Sequence, residues 1–285
     1  MKEKKNNKLE FPKQFDGFSQ YRPPLCFELT GKTFTLVLDS GYDYELTFTD
    51  DRVLSLTEKG KEAVTTPYEC LKAEDTTYFV NFELPGQPIR TGLSLVLDLE
   101  QQLVTAVFAF TGKNPKLPKM PSTEIVFGAI EQPDGTLATR RHGYTADLIG
   151  TAIHWYYSTM EVVHVYTSER YYRIALPVSF LKKMEKRGTP IADGGPSLVH
   201  FFEEPANYIK IKDGIYLLSF VEEQMHRELG AGGSMLYLMD LNRFQDVGRG
   251  FGIGFDGKPE NYTFGAFGEP VEHELMDKES YYWIR

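Results

Sequence analysis

The side chains best suited to chemistry lie in the second half of the chain. Trp155-Tyr156-Tyr157, His164, Tyr166 and Tyr171-Tyr172 crowd indole, phenol and imidazole groups onto two predicted neighbouring strands. Successive side chains of a strand point to opposite faces, so Trp155 and Tyr157 share one face and His154 and Tyr156 the other. Further on, Tyr216, Leu218, Phe220 and Glu222 fall on one face at period two. If that strand runs through residue 222, Glu222 is a carboxylate on an apolar face, where desolvation raises its pKa. If the strand ends at Phe220, the carboxylate is solvated. Inner-face aromatics are usually core, but buried tyrosine hydroxyls need partners and can form the polar floor of a pocket. The candidate ligand-binding set is therefore Trp155, Tyr157, His164, Tyr166, Tyr216, Phe220 and Glu222, with Glu222 and Tyr157 as the acid–base groups of any catalysis.

Standard catalytic signatures are absent. The run Gly248-Arg249-Gly250-Phe251-Gly252-Ile253-Gly254 lacks the preceding strand and following helix of a dinucleotide fingerprint, and reads better as a strand bending closely at a barrel wall. His154, His164, His200 and His226 show no clustered metal-ligand spacing, so neither a metal nor a cofactor is expected.

The elements that must position these groups come in two copies. Leu29-Thr30-Gly31-Lys32 is echoed by Leu148-Ile149-Gly150-Thr151, Asp75–Phe82 by Asp213–Phe220, and Gly92–Leu99 by Gly233–Leu241. Three echoes in one order mark an internal duplication. Gly31 and Gly150 are 119 residues apart, Asp75 and Asp213 are 138 apart, and Gly92 and Gly233 are 141 apart. The second copy thus carries an insertion of about 19 residues, placed after its second strand. Within it, Ser179–Arg187 reads as a short helix, with a serine cap, an apolar stripe, late basic residues and Gly188 as a stop. Such an insertion would lie at one end of a barrel, as a lid or as decoration.

Strand signals separated by short turns predict an antiparallel meander of seven or eight strands per copy, which closure into a barrel would free of edges. The expected organisation is a tail at 1–20, a first barrel at 21–113, a linker at 114–144 in which Ile125–Glu131 is open as a strand of either unit, and a second barrel at 145–285. Phe34 and Leu36 stand about where the second copy has Ile153 and Trp155, and Glu83 is one residue out of step with Glu222. The second barrel is therefore expected to hold the main site.

Aromatic content is high, with 17 Tyr and 20 Phe, as suits strands filling an interior. A net charge of −9 weighs against a nucleic-acid partner. Cys26 and Cys70 are too few and too distant for a disulfide framework or a zinc site, and read as two reduced thiols. No apolar stretch follows Met1–Lys8, and no segment is long enough to span a bilayer, so a soluble, cytoplasmic protein is expected.

On Gly31–Leu36, Tyr68, Asp147–Gly150, Tyr157-Ser158, His164–Tyr166, Arg170-Tyr171, Leu217–Phe220 and Gly250–Gly252, the chain resembles the MoaF family, whose members pair two calycin-like barrels. The resemblance implies an all-β fold of two tandem calycin/lipocalin-like antiparallel barrels, here with a short helix inserted in the second. The second half is also similar to phenolic acid decarboxylases through Leu148-Ile149-Gly150-Thr151 and Ile215–Glu222. That resemblance maps the catalytic glutamate onto Glu222 and one of two tyrosines onto Tyr157. The other tyrosine falls on Trp155, and no arginine matches the family's arginine near Val199. The function expected is binding of a small aromatic or amine-bearing molecule. The alternatives are a lyase, decarboxylase or isomerase acting through Glu222 and Tyr157, and a structural role with both barrels filled.

Overall fold

The computed structural model describes residues 21–157, 160–175, 201–229, 232–254 and 257–271. The first eight strands are β1 (Thr33–Leu38), β2 (Asp43–Phe48), β3 (Val53–Glu58), β4 (Val64–Glu74), β5 (Thr77–Glu83), β6 (Arg90–Asp98), β7 (Leu103–Thr111) and β8 (Pro121–Ile130). Each pairs antiparallel with the next, and β8 pairs back onto β1, so the sheet closes. Of the two units open to Ile125–Glu131 within the expected linker, the first takes it as its closing strand: the pairings Leu36↔Ile130 and Leu38↔Gly128 leave β1 without a free edge.

After the short β9 (Gly143–Tyr144) come β10 (Ala152–Tyr156), β11 (Glu161–Val165), β12 (Tyr171–Ala175), β13 (Phe201–Lys212), β14 (Ile215–Val221), β15 (Gly232–Asp240), β16 (Gln245–Ile253) and β17 (Pro259–Pro270). They form a second closed antiparallel barrel through the β12–β13 and β10–β17 pairings, with β9 added alongside β13.

The register shows how closely the copies correspond. Both carry a bulge in the fourth strand, between Lys72 and Glu74 and between Lys210 and Lys212. Gly31 and Gly150 both turn with positive φ (78° and 84°) and donate to Phe48 O and Tyr166 O. Asp98 and Asp240 cap the same turn, each accepting from the backbone N–H groups two and three residues on. Glu28 in the first copy accepts from Lys72 and Tyr78, as Asp147 does from Lys210 and Tyr216 in the second.

Two details differ from the sequence reading. The extra residues lie between the third and fourth strands, where 176–200 replaces the five-residue connection 59–63. The partner of Gly92 is Ser234 rather than Gly233, because Glu83 faces Gly92 and the corresponding Val221 faces Ser234. The expected helix at Ser179–Arg187 lies outside the described residues. Among the described residues the one helix is α1 (Glu223–Leu229), in the connection from β14 to β15. Buried Glu204 caps its N-terminus, accepting from Gln224 N (2.8 Å) and Met225 N (2.9 Å).

The barrels pack side by side through outward faces of matching strands. Leu71, Phe79 and Val96 join Ile209, Leu217 and Leu238, their counterparts in the second copy, in one apolar cluster. Arg249 crosses this seam fully buried. Its guanidinium donates to Leu93 O, Ser94 Oγ and Phe82 O of the first barrel, and to Asn261 Oδ1. At the other end of β5 and β6, Lys212 ion-pairs with Glu74 (2.5 Å) and Glu100 (3.1 Å), and buried His142 meets Thr105 (2.8 Å). Among the described residues, no helix is long and apolar enough to cross a membrane.

Candidate functional site

The interior of the second barrel is set by strand alternation. On β16, Val247 joins the seam and Arg249 crosses it, so Asp246, Gly248, Gly250 and Gly252 face inward. The alternating glycines make room for aromatic rings. A Cβ on Gly248 would lie 2.1 Å from Phe264 Cζ and 2.5 Å from Leu236 O, and one on Gly250 would lie 2.5 Å from Tyr262 Cζ. The glycine run therefore leaves room for the rings of Phe264 and Tyr262 against the strand.

Asp246 is buried, and burial raises its carboxyl pKa to about 7. The Tyr157 hydroxyl donates to Asp246 Oδ2 at 3.0 Å, while Oδ1 has no partner among the described residues. Burial pushes the Tyr157 phenol well above its ordinary value, and the Asp246 charge adds to this. Tyr237, on β15, is raised by burial and then by the charges of Asp246 and Glu222. Its ring stacks on Phe220 (5.5 Å) and meets Phe264 (4.9 Å) and the edge of His164 (5.1 Å). His164 is fully buried, with its pKa lowered to about 3 by desolvation, so the ring is neutral at physiological pH. Neither of its nitrogens, nor the buried Tyr172 hydroxyl, has a hydrogen-bond partner among the described residues. Orphaned polar atoms are rare in protein interiors and call for an explanation.

Glu222 lies one residue beyond β14 and continues its inward face. Gly233 N donates to Oε2 at 2.7 Å. Burial raises the carboxyl to about 7, with Glu204 and Glu260 contributing repulsion. The strand ends at Val221, and the half-buried Glu222 carboxylate beyond it raises the phenols of Tyr172, Tyr237 and Tyr262, so it borders the interior.

Trp155, Tyr157, Tyr166, Tyr216 and Phe220 all belong to the interior cluster of this barrel. Tyr166 is buried, with its hydroxyl on Met239 Sδ (3.3 Å). Tyr216 is directed elsewhere: its hydroxyl donates to Asp147 Oδ2 (3.1 Å), a contact repeated by Tyr78 and Glu28 in the first barrel. Glu222 and Tyr157 do not form a mutual pair, because Tyr157 is held by Asp246. His154 faces outward with Tyr156 and Glu161, opposite to His164. His200 lies outside the described residues. No group of three or more His, Cys, Asp or Glu able to hold a metal occurs among the described residues.

Sequence reading missed Asp246, Tyr237 and Tyr262 as members of this cluster, and left Tyr172 out of the site. Asp246 was within reach, since it shares the parity of the alternating glycines.

The first barrel provides an internal control. By register, the positions of Tyr157, His164, Tyr172, Glu222, Tyr237 and Asp246 are held there by Leu38, Leu46, Leu54, Leu84, Leu95 and Val104. All six pack in or against its apolar core. The same fold closes with aliphatic residues at every one of these places, so the polar set is not a requirement of the architecture.

Residues 14–112 match the family model of the MoaF N-terminal domain. The first barrel, from β1 through β7, is thus similar to that domain, and the second barrel lies outside the match. No curated protein matches the chain.

Proposed function

We propose that the second barrel binds a small aromatic molecule bearing an ammonium group. The observation that carries this reading is the internal comparison: a buried acid–phenol–imidazole cluster stands where the sister barrel has leucines and a valine. The rings of Phe220, Tyr237 and Phe264 offer faces to an aromatic ring and a negative π surface to a cation. Glu222 and Asp246 supply carboxyl groups, and His164 and Tyr172 supply unengaged donors and acceptors. The buried arginine of this barrel, Arg249, points the other way, into the first barrel, which favours a cationic rather than an anionic ligand.

A bound ammonium favours the ionised form of Glu222, so binding below about pH 7 must expel a proton. Affinity for tyramine should therefore rise, by up to about tenfold per pH unit, as pH climbs toward 7 and then level off. The neutral phenol p-cresol should show no such dependence. Calorimetry of tyramine, p-cresol and 4-hydroxycinnamate across pH tests this. Equal affinity for all three, or a preference for the carboxylate, would overturn the ammonium reading.

A second reading has its own observation in favour. Two carboxyls with pKa values near 7 are matched to general acid–base work at neutral pH, and Tyr157 is coupled to one of them. A lyase or isomerase acting on a phenolic substrate would use Glu222 as base and the Tyr157–Asp246 pair as a proton store. Turnover lost in Glu222→Gln with affinity retained would support it. A decarboxylase in particular would need a cation to hold the substrate carboxylate, and Arg249 is engaged in the seam.

A further inference from the structure

The two cysteines of the chain are 44 positions apart in sequence and adjacent in space. The segment before β1 runs along the part of β4 that β3 has left, and Cys26 N donates to Cys70 O at 2.8 Å. Both residues are buried at the apolar core of the first barrel. We propose that Cys26 and Cys70 form a peroxide-reactive dithiol that closes reversibly to a disulfide.

The duplication shows that the fold does not ask for these thiols. At the corresponding place in the second barrel, Thr145 N donates to Tyr208 O at 3.0 Å, so the same strand contact is made without sulfur. Strand neighbours joined by such a bond lie within the span that a disulfide bridges. The two thiols also have unequal chemistry. Cys26 is lowered to about 6, first by the hydrogen bond from Cys70 and further by the Glu28 backbone, against the opposing effect of burial. Lys72, paired with Glu28 at 2.7 Å, adds a favourable charge. Cys70 is pushed strongly upward by donating to Cys26 and by burial. Such an arrangement gives one nucleophilic thiolate and one resolving thiol.

The reaction balances. The Cys26 thiolate attacks one oxygen of a hydroperoxide, forming an S–O bond as the O–O bond breaks, and the departing alkoxide or hydroxide takes a proton to leave as alcohol or water. Cys70 sulfur then attacks the sulfenic sulfur, forming S–S as S–O breaks, and the Cys70 proton leaves with the hydroxyl as water. Two thiols are oxidised and one peroxide is reduced.

The test uses the full chain with hydrogen peroxide. Equimolar peroxide should abolish both free thiols together, lower the mass by about 2 Da, and yield a peptide joining Cys26 to Cys70 that dithiothreitol releases. The oxidised form should melt several degrees higher, on the order expected for closing a loop of this length. Cys70→Ser should trap a sulfenic acid on Cys26, detectable with dimedone. Cys26→Thr copies the second barrel and should leave Cys70 unreactive. Survival of both thiols in excess peroxide would overturn the proposal, as would separate oxidation of each to sulfinic acid. Equal reactivity of Cys70 in Cys26→Thr would overturn the assignment of Cys26 as nucleophile.

Discussion

Glu222 and Asp246 carry protons in the folded protein at pH values where an unfolded chain has lost them. Their folded pKa values of about 7 exceed the ordinary 4.5 and 3.8. Each therefore contributes stability that is fully present below the ordinary value and is lost as pH rises through about 7, with a slope of up to ~1.4 kcal/mol per pH unit per group. Glu222→Gln and Asp246→Asn should each flatten the decline in stability between about pH 5 and 7, measured by urea unfolding at a series of pH values. Glu74 acts in the opposite sense and elsewhere. Burial raises it, but Lys212, Thr77 and Thr76 outweigh that and bring it to about 2, so its contribution is lost only as pH falls below the carboxylate range. A decline unchanged in both variants would show that these carboxyls are not desolvated.

At the scale of the element, β16 serves two barrels at once. Its odd residues meet the first barrel, and its even residues give the second barrel an acid and then three glycines. Gly248 cannot accept a side chain, because relief from Phe264 would press a new methyl group on the Leu236 carbonyl. Gly248→Ala should cost about 1–3 kcal/mol by overpacking and should displace the ring beside Tyr237, weakening any ligand held there. Thermal unfolding with tyrosine fluorescence would check both effects. Wild-type stability and an unshifted Phe264 would show that the wall is looser than the structure describes. The helix α1 depends in the same local way on one side chain, Glu204, reaching across from β13.

For the whole molecule, the seam makes one unit of two barrels. Matching faces of the duplicated strands meet much as copies meet in a symmetric dimer, and the symmetry is broken where Arg249 stands at the position that Val107 holds in the first barrel. Desolvation lowers the Arg249 pKa to about 9, yet its donors satisfy two carbonyls and Ser94 of the first barrel. Arg249→Met should leave those acceptors unpaired and cost about 3–5 kcal/mol. It should also split a single unfolding transition into two, seen by differential scanning calorimetry. A single transition with unchanged midpoint would show that the apolar cluster alone holds the barrels together.

Much of this was legible in the residues. Gly31 and Gly150, the Asp98 and Asp240 turns, and the strand periodicity determine two closed antiparallel meanders, because turn chemistry and alternation are local properties. The shared face of Trp155 and Tyr157 is local in the same way and follows from spacing alone, whereas the direction of His164 and the end of the strand before Glu222 stay open at that level. What spacing could not decide is which residues meet across a closed barrel. Tyr157 pairs with Asp246 89 positions away, Cys26 with Cys70, and Arg249 with Leu93 of the other copy. Those contacts follow from shear and from barrel-on-barrel packing, which are set by the whole sheet at once. For the same reason Ile125–Glu131, inside the expected linker, reads only as a strand of either unit: a strand with turn signals at its borders shows its pairing only when β1 and β7 stand on either side of it.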